Sequence, residues 1–245
     1  MVRLIRTSVC LLAGACVAVA AYAQTADEIV AKNLKAKGGV EKLKAMNSVK
    51  ITGTISAQGM EMPMTTWSKR PNLMRREMQI NDKRIVTGFD GITVWGINPM
   101  MSGSDEPQEL TGPMAQMTKD DADFDGVLVD YKEKGHKVEL VGTETLEGKK
   151  VYHLKITKKN GQIQQYYLDA ESGVEVRTVM SLQMGASTVA EVVTDLSNYQ
   201  TIDGLSVPFS MKQSMNGTVA AEVKIDKVEF NLPIDETMFK MPGKK

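Results

Sequence analysis

From about Ser48 to Glu229 the apolar residues recur at every second position. The runs are cut by turn dipeptides at Asn81-Asp82, Asp90-Gly91, Glu147-Gly148, Asn160-Gly161, Ser172-Gly173 and Asn216-Gly217. A period of two is that of a strand with one buried face, and such dipeptides between alternating runs favour hairpins, so neighbouring strands pair antiparallel. The pattern predicts strands at 49–57, 60–69, 73–80, 84–89, 93–98, 137–145, 150–158, 162–169, 175–182, 188–199, 207–215 and 220–229. About eleven to twelve strands with few helices make a mainly β (α+β) chain, built on one large curled antiparallel sheet.

Two segments escape the alternation. Residues 25–46, TADEIVAKNLKAKGGVEKLKAM, read as a helix broken at Gly38-Gly39. Thr25 is placed to cap it, Asp27 and Glu28 suit the positive end of the helix dipole, and Ala26, Ile29, Val30 and Leu34 share one face. Residues 99–135 interrupt the strands with a Gly/Pro-rich loop followed by short helices.

The first residues, MVRLIRTSVCLLAGACVAVAAYAQ, combine a cationic start, an apolar run and a small-x-small step at Ala21-Tyr22-Ala23. They form the pattern of a secretory signal peptide over residues 1–23, leaving a single domain over 24–245 and a periplasmic destination. Both cysteines, Cys10 and Cys16, lie in the removed part, so the mature chain has no thiol for a disulfide, a nucleophile or a metal. Leu12-Ala13-Gly14-Ala15-Cys16 loosely matches a lipidation box. The apolar run continues well past Cys16, which favours a soluble product over an anchored one. Cleavage removes two of the 30 basic residues and none of the 30 acidic ones, for a net charge of −2. No basic stripe with interleaved aromatics is present, so nucleic acid is not an expected partner.

Methionine is the unusual ingredient, with 17 residues against five Phe and two Trp. Met60, Met62, Met64, Thr66, Ser68 and Arg70 share one face of the second strand. Met78 follows on the next strand, and Met180, Leu182 and Met184 repeat the spacing, as do Met211 and Met215 around Gln213. Taken singly each is an ordinary core residue. Together they suggest a cavity lining, because methionine specifies a rigid packing poorly but adapts to varied apolar partners. If the strand carries no bulge, Arg70 points to the same face and must find acceptors on a covering element. A bulge at Ser68 or Lys69 would instead turn it to the surface.

Trp67-Ser68-Lys69-Arg70-Pro71-Asn72-Leu73, followed by Asp90-Gly91-Ile92-Thr93-Val94-Trp95 and Asn98-Pro99, resembles the LolA-like periplasmic lipoprotein carriers over roughly residues 60 to 100. Their relatives include LolB, mycobacterial lipid-binding lipoproteins and the N-terminal domain of RseB. The resemblance implies an unclosed antiparallel barrel wrapped round short lid helices, with a hydrophobic cavity for acyl chains. It gives Arg70 the role of a lid latch, and it implies an acylated lipoprotein or lipid as cargo. An inner-membrane exporter, an outer-membrane acceptor and a monomeric carrier go with that picture. An RseB-like envelope-stress sensor, binding lipoprotein and a signalling partner, is the alternative. Where LolA exposes a docking Phe after the Asn-Leu pair, this chain has Met74.

Other motifs point to little chemistry. Asp121-Ala122-Asp123-Phe124-Asp125-Gly126 copies the start of a calcium loop, but its twelfth position is Lys132 rather than a bidentate Glu. Phe124, Leu128 and Tyr131 at helical spacing suggest a lid helix there instead. His136 and His153 have no metal-ligand spacing, and His153 reads as a strand residue. No nucleophile elbow, phosphate loop or dinucleotide fingerprint occurs, so neither enzyme activity, cofactor nor metal is expected.

Overall fold

The computed structural model describes residues 24–183 and 189–243; residues 1–23, with Cys16 and the expected signal peptide, and residues 184–188, with Met184, lie outside the described residues. Thr25 starts helix α1 (Ala26–Ala36) with a reciprocal cap. Its hydroxyl accepts from Glu28 N at 3.2 Å, and the Glu28 carboxylate accepts from Thr25 N at 2.8 Å. Gly38 and Gly39, at φ of 120° and 93°, end that helix and redirect the chain into α2 (Val40–Ala45).

Thirteen antiparallel strands then form one sheet. In chain order they are β1 (Ser48–Ala57), β2 (Met60–Lys69), β3 (Leu73–Ile80), β4 (Lys83–Phe89), β5 (Val94–Ile97), β6 (Gln108–Glu109), β7 (Lys137–Leu146), β8 (Lys149–Thr157), β9 (Ile163–Asp169), β10 (Glu175–Gln183), β11 (Val189–Ile202), β12 (Leu205–Met215) and β13 (Thr218–Phe230). The spatial order is β6-β5-β4-β3-β2-β1-β13-β12-β11-β10-β9-β8-β7, a curled and unclosed sheet. The strand missing from the sequence pattern is β6, because two residues are too few to show an alternation. Several hairpins turn as their dipeptides require: Glu147-Gly148, Asp203-Gly204 and Asn216-Gly217 all have positive φ at both positions.

This order explains why a long insertion sits between β6 and β7. Each strand pairs with its chain neighbour except where β13 returns to β1, so the chain leaves one sheet edge at β6 and re-enters at the opposite edge, β7. Residues 110–136 must therefore cross the width of the sheet. Helix α3 (Pro99–Ser102) precedes β6, and the crossing is made by α4 (Gly112–Asp121) and a run of turns over 123–135, the connector.

The expected helix through Phe124, Leu128 and Tyr131 does not form. Val127, Leu128 and Val129 are buried consecutively, at 8%, 4% and 3% exposure, which a helix cannot arrange on one face. Positive φ at Gly126 and Asp130 breaks the helical path. The cover helix is α4.

The insertion and the N-terminal helices share one face of the sheet, the inner face. There, Ile29, Val30 and Leu34 of α1 and Val127, Leu128 and Val129 of the connector pack on Leu154, Ile156 and Leu168 of β8 and β9. At the other side α4 sets Ala115 and Ala122 on Met74, Phe89 and Val94 of β3–β5. On the outer face Trp95 is fully buried beneath the C-terminal segment, its indole donating to Phe239 O at 2.7 Å. Gly88 accommodates that ring, since a Cβ there would lie 2.3 Å from it.

Candidate functional site

Between these two covered regions the inner face is a largely apolar floor, crossed by polar rows at Thr178, Thr194 and Gln213 and at Thr66, Arg76 and Thr87, and the strand register shows how it is tiled. Met62 stands opposite Ile55, Ile55 opposite Val223, Val223 opposite Met211, and Met211 opposite Leu196, one row across five strands. A second row runs Ile85, Met78, Met64, Gly53 and Ile225. Met180 faces Val192, which faces Met215, while Leu182 faces Ala190. The predicted methionines among the described residues are thus brought onto one face in two groups, with Ile55, Val223 and Ile225 between them. Those intervening aliphatics carry the same alternation in β1 and β13, and a search for methionine alone passes over them.

Exposure grades along this floor. Leu154 and Ile156, under α1, are at 0%, whereas Met62 and Met64 are at 8%, Met78, Met180, Leu182 and Met211 are half-buried, and Met215 and Met60 at the hairpin rim reach 37% and 42%. One end of the inner face is packed and the rim end is open to solvent. A cleft of about 660 Å³ opens there, between Gln116 and Met117 of α4, Asn160 and Gly161 of the β8–β9 turn, and Leu182 of β10.

Helix α4 makes few apolar contacts with the sheet. Its buried side chains are Ala115 and Thr118, with Ala122 at its C-cap, so little apolar surface is buried, and Met114 and Met117 remain exposed at 53% and 37%. Its C-terminal turn is tied by ion pairs: Lys158 Nζ donates to Asp120 at 2.5 Å and Arg76 to Asp121 at 3.3 Å. With so few apolar contacts, what holds α4 closed is these polar ties, chiefly the largely buried Lys158–Asp120 pair.

Arg70 sits at the packed end. Strand β2 pairs without interruption up to Lys69, and the guanidinium turns toward the cover. Nε donates to Met46 O at 2.5 Å, and Nη2 to Leu43 O at 2.9 Å, at the C-terminus of α2 where the helix dipole favours a cation. Nη1 and Nη2 grip Asp125 in a bidentate pair with both contacts at 2.6 Å, and the Phe124 ring lies 4.9 Å from the guanidinium carbon. One side chain therefore ties the β2–β3 turn, α2 and the connector.

The calcium-like run is dismantled by cations. Asp121 faces Arg76, Asp123 faces Lys134 at 2.8 Å, and Asp125 faces Arg70, so the three carboxylates do not converge. Among the described residues no group of three His, Cys, Asp or Glu side chains could hold a metal. His153 is a buried strand residue, stacked on Tyr167 with its ring nitrogens 2.6 Å from Glu144 and Gln165. Met74, at the docking position implied by the LolA resemblance, is 1% exposed beneath α4 and presents nothing to a partner.

No family model matches the sequence. Solved structures do match the fold. A DUF1329 family protein from Desulfovibrio piger superposes with a TM-score of 0.60 at 14% identity, covering 89% of this chain and 98% of that one. A LolA superfamily protein from Nitrosomonas europaea gives 0.57 at 13% identity over 89% and 98%. The fold is LolA-like. A putative outer membrane lipoprotein-sorting protein domain from Vibrio parahaemolyticus extends the set, at 0.54 and 14% identity over 86% and 97%. At such identities the likeness speaks for the LolA-like architecture and not for the activity.

One polar residue of this face escapes a reading built on methionines. Arg76 on β3 lies between Met74 and Met78, shares their face, and stands in a polar row with Thr66 and Thr87. The signal that finds it is the strand period itself, since residues two apart point the same way.

Proposed function

We propose that this protein is a periplasmic, monomeric carrier without enzymatic activity that holds the acyl chains of a lipid or lipoprotein on its inner face. In this reading Met62, Met64, Met78, Met180, Leu182 and Met211 line the site, with Met60 and Met215 at the rim; Met184 is assigned to the lining by its spacing with Met180 and Leu182. Helix α4 and the connector are the cover, and Arg70 is the latch. Residues 1–23 direct export, an inner-membrane exporter loads the carrier and an outer-membrane acceptor unloads it.

The observation that carries this reading is the contrast between a packed end and an apolar floor that stays partly open beneath a helix held mainly by polar ties. Burial of an acyl chain yields about 0.8 kcal/mol per methylene. A site that kept all of that would never release its cargo. Closing a cover over the empty floor gives the apolar surface a partner in both states, so that net affinity is a small difference. The sequence-derived signal peptide agrees with the assignment, and none of the described helices is long and apolar enough to cross a membrane.

Native mass spectrometry of protein purified from membrane-containing cells tests the proposal. Acyl-lipid or acylated-protein adducts are expected on the wild type, more abundantly on Arg70→Leu. Bare protein in both samples contradicts it.

A further inference from the structure

We infer that Arg76 reads the head group of the cargo, and that the preferred cargo is an acyl lipid whose head carries an anionic oxygen, as a carboxylate or a phosphate does. This rests on the carrier reading above and narrows it to a ligand class. The arginines around the inner face differ in how well they are satisfied. Arg70 makes four short bonds to two carbonyls and a carboxylate. On the opposite face Arg75 is equally occupied, with Glu77 at 2.8 and 2.6 Å, Met238 O at 2.8 Å and the Trp95 ring beneath it. Arg76 differs. Its contacts are Nε to Thr66 Oγ1 and Nη2 to Asp121 Oδ2, both at 3.3 Å, and its side chain is 36% exposed.

A guanidinium has five N–H donors in a planar fork that matches two oxygens of a carboxylate or phosphate. Placed on an apolar wall, it gains from an acceptor that brings its own hydrocarbon. The surroundings supply a place for both. Thr66 and Thr87 stand on either side of Arg76 across the sheet. Two residues along each strand the row changes to Met64, Met78 and Ile85. That step is about 7 Å, so a head held at Arg76 delivers its first methylenes onto the methionine row. An entering anion also competes with Asp121 for Arg76, which releases one tie of α4 as the chain goes in. Asp120 remains with Lys158 on the far side.

The test is displacement of the neutral probe N-phenyl-1-naphthylamine by tetradecanoate and by tetradecan-1-ol, at about pH 8 where the carboxylate is ionised. Wild type is expected to prefer the carboxylate by about tenfold or more, the range of a charge-assisted hydrogen bond. Arg76→Gln should bring the ratio of carboxylate to alcohol affinity to about one, whatever the loss of the Asp121 tie does to both affinities together, and Arg76→Lys should restore part of the preference. Equal affinity for both ligands in the wild type, or a preference that survives in Arg76→Gln, overturns the head-group assignment and leaves the carrier standing. Failure of probe and both ligands to bind wild-type protein overturns the carrier reading and this inference with it.

Discussion

Replacing Arg70 with Leu is expected to lower the unfolding free energy by about 3 kcal/mol and, at the same time, to tighten binding of an acyl ligand. The first effect follows from what is left behind. Asp125 loses both bidentate contacts and the carbonyls of Leu43 and Met46 lose their donor. Removing one member of a buried ion pair costs about 3–5 kcal/mol. The lower end applies because Arg70 and Asp125 retain 24% and 22% exposure. The second effect follows from the cover. If loading requires the connector to lift, then affinity is reduced by the cost of lifting, and a variant that lowers this cost binds more tightly. Asp125→Ala separates the two, since Arg70 keeps its carbonyls on α2 while the connector is freed. It should cost less stability and keep most of the gain in affinity. Urea unfolding with ligand titration on the three proteins reads both quantities, and a loss of stability without tighter binding would reduce Arg70 to a structural tie.

The second large effect separates the packed end from the floor. Leu154→Ala should destabilise by about 3–4 kcal/mol, because Leu154 is wholly enclosed among α1, the connector and β9, where truncation leaves a cavity. Met180→Ala removes a side chain of similar size from a half-buried position opposite Val192. It should cost only about 1 kcal/mol, because much of that surface already meets solvent. Its effect should appear in ligand affinity instead. Chemical denaturation gives both numbers, and equal costs at the two positions would mean that the middle of the inner face is as solid as its end.

The strands are legible in the sequence because alternation is a local property: β2 shows Met62 and Met64 buried with Glu61 and Pro63 exposed, as the period requires. What escapes is either too short or too distant. Gln108–Glu109 pairs with β5 over two residues and leaves no pattern. The connector mimics a helix because Phe124, Leu128 and Tyr131 fit the spacing, yet the backbone at Asp130 is left-handed and Val127, Leu128 and Val129 are all buried. Arg70's need for acceptors can be deduced from its chemistry, but not that Asp125 meets it from 55 positions away. Arg76 is hidden for a different reason: it is a single charge inside a run whose other inward residues are apolar, and its meaning depends on Thr66 and Thr87, which only the strand register brings beside it.

Methionine methyls offer the most direct measurement of the central claim. In protein labelled with methyl-carbon-13 methionine and titrated with tetradecanoate, the account predicts shifts at Met62, Met64, Met78, Met180 and Met211. Met238 and Met241, beside the outer-face Trp95 cluster, should stay fixed. Saturating ligand that leaves the inner-face methyls unmoved, or that shifts only the outer ones, would contradict the existence of an acyl site inside the curled sheet.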